Sequence, residues 1–337
     1  MSLRIRQVLA LEAVLVAAAA AGCQQAAAPA AHPPLSYPAT KKGETVEDHF
    51  GTKVADPYRW MEDLDSKDVS EWVAAQNRLT EEELSKLPAR DRFKRRITEL
   101  WNYPRTGLPV REGGRYFYTK NSGLQRQAPL YVRASLTAPP TLVIDPNLIS
   151  PDGSLSLAQW GASPDGKLVA YGLSEGGADW RTLHVRDVDA SKDFDDEVKW
   201  MRFSNLSWTK DSKGFFYSRF AEPPKGRVLE AALSGQTIYY HRVGTPQRQD
   251  TLIYERKDLP AWFLTGTTTE DGRYLLISMS KGSDNSNRLY YSDLGDPNRP
   301  KIGAPVKPIV EEDGAEFLPF GNEGPVLYLR KIGRAHV

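Results

Sequence analysis

From residue 103 onward, the sequence repeats a short pattern with a period of about fifty residues. Each repeat has a glycine-containing turn followed by a run of aromatic and aliphatic residues, and three of the five turns carry an aspartate just ahead of the glycine. We expect each glycine to supply the positive φ angle that a tight hairpin turn requires. The repeated glycines are Gly114, Gly166, Gly214, Gly272 and Gly324.

This repeat constrains the fold class more than any other feature. A unit of about fifty residues with about four short strands is typical of a propeller blade. The sequence therefore predicts a mainly β fold, a β-propeller over residues 103–330 with about five blades, the fifth of them incomplete. An open meander or a solenoid is the alternative. Second strand pairs are predicted between the glycines, at Leu130–Val132, Thr182–Val185, Thr237–Tyr240 and Arg288–Tyr291.

A helical segment precedes the strands, within residues 45–102. Asp65 or Ser66 can cap a first helix, whose apolar residues recur near helical spacing until Pro88 ends it. A second helix is predicted from Asp91 to Trp101, because its apolar side chains fall on one face. The basic residues between positions 90 and 96 are expected to form a solvated face of this second helix.

Residues 1–23 have the layout of a bacterial export signal. A basic start precedes an apolar run from Val8 to Gly22, which is shorter than the ~20 apolar residues that span a bilayer. The run ends in Ala20–Cys23, which resembles a lipobox, so we predict lipidation at Cys23 and an Ala/Pro-rich linker over 24–44. Such a lipoprotein would reside in the periplasm or outer membrane of a bacterium. A plain cleaved signal and a cytosolic chain with a misassigned start are the alternatives.

Charge and composition argue against several classes of function. The 44 basic and 43 acidic residues leave a net charge of +1, which gives no reason to expect a nucleic-acid partner. The single cysteine cannot form a disulfide within the chain.

The five histidines lack metal-binding spacing, so we predict no metal and no cofactor, and His184 and His241 are expected to be structural. A solvated loop is expected at the acidic cluster of Asp193, Asp195, Asp196 and Glu197.

A serine hydrolase of the α/β type needs a nucleophile elbow, in which the serine of a Gly-x-Ser-x-Gly segment lies on a sharp strand-to-helix turn. We predict no such elbow in this chain. The segment Gly161–Asp165 lacks the second glycine and is expected to place Ser163 in a blade turn. No catalytic residue is therefore assigned.

Several segments of the chain share a family pattern. Asp56–Trp60 reads Asp-Pro-Tyr-Arg-Trp and continues to Ser66 as Met-Glu-Asp-Leu-Asp-Ser. This opening resembles the start of the prolyl oligopeptidase family. The resemblance covers roughly Tyr37 to Arg330. Three further segments are similar to family segments in the same order: Asn121–Gln125, Tyr171–Trp180 and Asn287–Tyr291.

The resemblance implies a serine peptidase in which a seven-bladed propeller covers an α/β-hydrolase domain. It implies that residues 45–102 belong to the hydrolase domain, and that a Ser-Asp-His triad lies C-terminal to residue 337. Short peptides would be cleaved after proline while the propeller restricts access, so the chain by itself is expected to be inactive. Residues 331–337 do not continue the blade pattern and are predicted to be a non-native tail, with a genuine short strand as the alternative.

The resemblance also implies a substrate-binding role for two residues. Phe203 lies in the segment Val198–Ser204, which matches the family segment that carries an aromatic residue of the outer substrate pocket. We expect Phe203 to contact the substrate residue two positions before the proline of the cleaved bond. Ile253 matches more loosely and is expected to line the same pocket. The alternative for Phe203 is a place in the core of a blade.

Two other functions are compatible with the same residues. A peptidase similar to oligopeptidase B would prefer basic residues at the cleavage site. A non-catalytic propeller lipoprotein would bind a partner, but the Asp56–Ser66 segment and the helices after it have no role in a lone propeller.

Overall fold

A computed structural model of the chain describes residues 35–224, 228, 231, 233–282 and 284–333. The packing of the backbone divides the chain into two compact units, Met1–Arg96 and Ile97–Val337. Cys23 and the whole predicted export signal lie outside the described residues. Across the described ranges, no helix is both long and apolar enough to cross a membrane.

The first unit consists of a short hairpin followed by a long helix. The side chain of Ser66 caps this helix by accepting a hydrogen bond from the backbone N–H of Val69. Both predicted helices are confirmed, and the basic residues of the second are exposed as expected. The elements are β1 (Val46–His49), β2 (Thr52–Ala55), a 3₁₀ turn (Arg59–Glu62), α1 (Lys67–Ser85) and α2 (Arg90–Trp101), which continues across the division between the units.

The Asp-Pro-Tyr-Arg-Trp segment has a local structural role. The guanidinium of Arg59 donates a hydrogen bond of 2.6 Å to Asp56 and forms an ion pair of 2.5 Å with Glu47. The indole Nε1 of Trp60 donates to the backbone carbonyl of Lys41 at 2.9 Å. These bonds fix the chain between the hairpin and α1, which explains why this segment needs those residue types.

The second unit contains four antiparallel sheets, here called blades 1 to 4, and a final two-stranded hairpin. Blade 1 comprises β3 to β7, blade 2 β8 to β12, blade 3 β13 to β16, blade 4 β17 to β20, and the hairpin β21 and β22. The strands are β3 (Arg105–Thr106), β4 (Val110–Glu112), β5 (Arg115–Asn121), β6 (Leu130–Arg133), β7 (Thr141–Ile144), β8 (Leu155–Ala162), β9 (Leu168–Glu175), β10 (Arg181–Asp187), β11 (Lys192–Asp193), β12 (Val198–Met201), β13 (Leu206–Trp208), β14 (Gly214–Arg219), β15 (Thr237–Arg242), β16 (Thr251–Tyr254), β17 (Trp262–Thr268), β18 (Tyr274–Lys281), β19 (Asn287–Asp293), β20 (Val306–Val310), β21 (Ala315–Glu323) and β22 (Val326–Gly333).

Every strand pairing within the blades is antiparallel, and in blades 3 and 4 successive strands pair as a meander. In blade 1 both β3 and β4 pair with β5, and in blade 2 both β11 and β12 pair with β10. A four-residue helix, α3 (Pro146–Ile149), connects blades 1 and 2, and a 3₁₀ turn (Gln247–Gln249) precedes β16. In blades 1, 3 and 4 the register between the last two strands shifts near the beginning of the earlier strand, for example between Ile238 and Tyr239. The predicted mainly β fold, with repeated blades and an incomplete fifth, is confirmed. Among the described residues the sheets do not close into a ring.

The core lies between consecutive blades, because successive side chains of a strand point to opposite faces of its sheet. In β14, Phe215 packs with residues of blade 2, whereas the next residue, Phe216, packs with residues of blade 4. In β9, Val169 likewise faces blade 1 and Ala170 faces blade 3. The middle strands therefore bury both faces, as their continuous apolar runs require.

The repeated turns use one side-chain motif. A hydroxyl group donates to the aspartate two residues later in Ser163–Asp165, Thr209–Asp211 and Thr269–Asp271, at 2.6, 2.7 and 2.6 Å. The residue after the aspartate takes the positive φ angle: 70° at Gly166 and 76° at Gly272.

The prediction was wrong for the turn at Thr209–Asp211. Ser212, with a φ of 58°, occupies the left-handed position there, and Gly214 begins β14 two residues later. Glycine is required at 214 for a different reason. A Cβ atom added to Gly214 would lie 2.2 Å from the carbonyl oxygen of His241 on the paired strand.

The last strand extends beyond the predicted end of the propeller sequence. β22 continues through Gly333, and Lys331 pairs with Phe317 of β21. The first three residues of the predicted tail, 331–333, are thus in strand geometry, and residues 334–337 lie outside the described part of the chain. The non-native origin of this segment stays a prediction.

Candidate functional site

Phe203 lies in a tight connection between the last strand of blade 2, β12, and the first strand of blade 3, β13. Its φ angle is 49°, a left-handed conformation that aromatic residues rarely adopt. The side chain is 43% exposed. Phe203 is therefore not a core residue of a blade, and its ring is available for contact with another molecule.

An aromatic cluster surrounds Phe203. Its ring lies 5.6 Å from that of Phe263, at the start of β17, and Phe263 lies edge-on to Phe220 at 6.2 Å. The rings of Trp180 and Phe220 are 6.0 Å apart, and those of Trp180 and Trp200 are 6.1 Å apart. These five residues, the aromatic cluster from here on, come from blades 2, 3 and 4. Such edge-to-face and tilted pairs stabilise a rigid apolar surface.

One cation lies within the aromatic cluster. The guanidinium of Arg202 stacks 5.1 Å from the centre of the Phe203 ring and 5.6 Å from that of Trp180. Asp179 holds this group through an ion pair of 2.7 Å. The Nε of Arg202 is buried and finds no hydrogen-bond partner among the described residues.

A buried amide supports the same connection. The side chain of Gln236, 2% exposed, donates hydrogen bonds from Nε2 to the backbone carbonyls of Arg202 at 3.0 Å and Phe203 at 3.2 Å. Its Oε1 accepts from the backbone N–H of Leu264 at 2.7 Å. Sequence analysis missed Gln236, since a glutamine before a strand gives no local sign of a partner more than thirty residues away.

Ile253, the second predicted site residue, has different neighbours. It lies in β16 and is partly buried against the core between blades 3 and 4. The ring contact of Phe203 is instead with Phe263. The role of Ile253 in a substrate pocket stays a prediction.

The first strands of blades 1 to 4 line a second concave surface, the inner pocket, with Glu112, Trp160, Trp208, Lys210 and Thr268 among its residues. Trp208 donates from its indole to the carbonyl of Gly161 in blade 2 at 2.9 Å. Lys210 donates to the carbonyl of Glu270 in blade 4, also at 2.9 Å. Burial raises the pKa of Glu112. The inner pocket therefore has a mixed polar and apolar lining, and side-chain bonds between blades hold its wall.

The sequence contains one Gly-x-Ser-x-Gly segment, Gly172–Gly176, which the sequence analysis passed over. The structure places its serine, Ser174, within β9 rather than on a strand-to-helix turn. Ser174 is 4% exposed, and its hydroxyl donates to the carbonyl of Ala178. Because the geometry of a nucleophile elbow is missing, Ser174 is a structural serine of a β-hairpin. Ser163, as predicted, lies in a blade turn.

His241 lies in a buried polar site of blade 3. Its Nδ1 bonds to Asp250 and its Nε2 to Asp196, both at 2.7 Å. Burial lowers the pKa of His241, but the hydrogen bonds to the two aspartates outweigh it and raise the pKa to about 9. His241 is thus a structural residue, as expected. The prediction for Asp196 was wrong, because it is 3% exposed and lies in this site rather than in a solvated loop.

The comparisons with known proteins point to one family. Residues 37–336 match the family described as prolyl oligopeptidase, N-terminal beta-propeller domain. A prolyl endopeptidase from Elizabethkingia meningoseptica is 37% identical over 295 residues, covering 88% of this chain and 41% of that protein. Prolyl oligopeptidase A from Galerina marginata is 32% identical and is covered over 44% of its length.

A solved structure agrees with the sequence relatives. Prolyl oligopeptidase B from Galerina marginata, bound to a 35mer hydrolysis and macrocyclization substrate, superposes with a TM-score of 0.72 at 29% identity. The match covers 88% of this chain and 44% of that one, so the chain spans less than half the length of its relatives. Together with the repeated blades, these matches show that the chain belongs to the family defined by the N-terminal β-propeller domain of prolyl oligopeptidase.

Proposed function

We propose that this chain forms the propeller portion of a serine peptidase that cleaves short peptides after proline. The similarity to prolyl endopeptidases over 88% of the chain carries the proposal. The nucleophile, acid and base would lie in the part of the family's length that this chain does not span. The chain by itself would then hydrolyse no peptide.

The propeller would act on substrates by selecting and binding them. The inner pocket, lined by polar and apolar residues of four blades, would contact an extended peptide. The aromatic cluster would supply the apolar contact. Phe203, exposed and held against Phe263, would contact the substrate residue two positions before the proline. Ile253, partly buried against the core between blades 3 and 4, would line the same substrate pocket.

The test compares this chain with a protein in which it continues into a catalytic domain. Fluorogenic peptides with proline or arginine before the reporter group are offered to both. The proposal expects hydrolysis of the proline peptide by the longer protein and none by the chain. Preference for arginine would instead support a peptidase similar to oligopeptidase B. No hydrolysis by a folded longer protein would leave the non-catalytic binding protein as the better account.

We also propose that the protein is exported as a lipoprotein anchored at Cys23. The basic start, the apolar run and the lipobox-like Ala20–Cys23 support this. Growth of expressing bacteria with a labelled fatty acid tests the proposal. Label should enter the wild-type protein and be lost in Cys23→Ala, whereas an unlabelled wild-type protein found free in the periplasm would indicate a plain cleaved signal.

A further inference from the structure

The connection that carries Phe203 is held in an unfavourable backbone conformation. Trp200 has a φ angle of 66° and Phe203 one of 49°, so two aromatic residues within four positions adopt the left-handed region. A residue in this region is strained and persists only where surrounding contacts determine its conformation. Some group must therefore hold this connection in place.

The backbone N–H of Phe220 donates to the carbonyl of Trp200 at 3.0 Å. Gln236 holds the Phe203 end of the connection. Its carboxamide donates to the carbonyls of both Arg202 and Phe203, and it accepts from Leu264 of blade 4. Leu264 follows Phe263, whose ring contacts that of Phe203. One buried side chain thus ties the backbone of Phe203 to the strand that carries its ring partner.

The next blade provides an internal comparison. Asn287 occupies the same place, at the start of the third strand of blade 4, and its Oδ1 accepts from the backbone N–H of Phe317 in β21 at 2.6 Å. Leu264 and Phe317 are both the third residue of the following first strand. The Nδ2 of Asn287, however, bonds to Ser278 and to the carbonyl of Phe317. Both amides therefore join neighbouring blades. Of the two, only Gln236 bonds to the backbone of an exposed aromatic residue.

We propose that Gln236 is a positioning residue for substrate specificity. Its carboxamide fixes the left-handed Arg202–Phe203 connection against blade 4 and thereby sets the gap between the Phe203 and Phe263 rings. Arg202, held by Asp179, also contacts the Phe203 ring. Gln236 would not touch the substrate and would act through Phe203. The inference rests on the proposed function, in which Phe203 contacts the peptide.

The test uses Gln236→Glu and, as a matched control, Asn287→Asp, in the complete peptidase in which this chain continues into its catalytic domain. Each change keeps side-chain length and the acceptor for the next blade while removing the NH₂ donor. For a fluorogenic peptide with phenylalanine two positions before proline, Gln236→Glu should raise KM about fivefold or more with kcat nearly unchanged. Asn287→Asp should lower Tm but leave KM near the wild-type value.

A double-mutant cycle with Phe203→Ala separates positioning from a general loss of stability. If Gln236 acts through Phe203, adding Gln236→Glu to Phe203→Ala raises KM no further. If the two substitutions raise KM additively, the inference is overturned and the proposed function stays intact. The same holds if Phe203→Ala raises KM while Gln236→Glu leaves it unchanged. An unchanged KM in Phe203→Ala itself would remove the site and the inference together. Should Gln236→Glu fail to fold, Gln236→Met, which removes the donors without adding charge, replaces it in the cycle with the same expected results.

Discussion

The imidazole of His241 is fully buried between two carboxylates, Asp196 from blade 2 and Asp250 from blade 3. Both ring nitrogens face a carboxylate oxygen at 2.7 Å, so the protonated ring, which donates from both, satisfies the site. Asp250 also accepts from the hydroxyl of Tyr217 at 2.6 Å, and Asp196 accepts from the backbone N–H of Gly244 at 2.7 Å. This buried ionic site joins two blades.

The His241 site makes stability depend on pH. The folded protein raises the pKa of His241 from 6.5 to about 9, so the stabilisation is fully present below about pH 6.5 and is lost as pH rises through about 9. The shift corresponds to about 3 kcal/mol of unfolding free energy. Urea unfolding at about pH 6 and about pH 9.5 should show this loss in the wild type and a much smaller one in His241→Gln. Equal losses in both proteins would contradict the assignment.

At the scale of elements, the blades depend on close approach between strands as much as on turns. Gly214 begins β14, directly against the backbone of His241 on β15. We predict that Gly214→Ala lowers the unfolding free energy by about 1–3 kcal/mol, because the backbone must shift to admit the methyl group. Chemical denaturation measures the unfolding free energy of the variant and of the wild type. Gly321→Ala is the control, since no atom lies within 4 Å of its added Cβ. A similar loss in both variants would show that the cause is not the close approach.

The sequence predicts the blades because their determinants are local. The apolar runs and the turns that carry aspartate and glycine can be found within ten residues of each other, and the structure has strands and turns at these places, with Ser212 in place of Gly214 at the left-handed position of one turn. The contacts of the candidate site are harder to predict from the sequence, because they join residues that are far apart along the chain. Phe203 was identified by resemblance, but its support comes from Gln236, which is 34 positions from Arg202, and from Phe263 in the next blade. Asp196 and His241 are likewise 45 positions apart, so their pairing has no local sequence signal.

At the scale of the whole molecule, the exposed apolar side chains of α2 are the most conspicuous surface feature. Phe93, Ile97, Leu100 and Trp101 are each more than half exposed. Contiguous exposed apolar side chains promote association. We predict that the chain self-associates as its concentration rises, and that the double substitution Ile97→Glu/Leu100→Lys reduces this. Sedimentation velocity measures the change, with Lys94→Glu on the same helix as the control for charge. Equal association in all three proteins would place the contact elsewhere.

We propose that Phe203, the exposed aromatic residue between blades 2 and 3, binds the substrate of a proline-specific peptidase. The most direct measurement is the KM of Phe203→Ala for a proline peptide, in the complete protein, beside Phe320→Ala as an exposed phenylalanine of the last hairpin. The account predicts that Phe203→Ala raises KM about 5- to 30-fold with kcat and Tm nearly unchanged, while Phe320→Ala leaves KM unaltered. Equal KM values in the wild type and Phe203→Ala, with both folded, would contradict it.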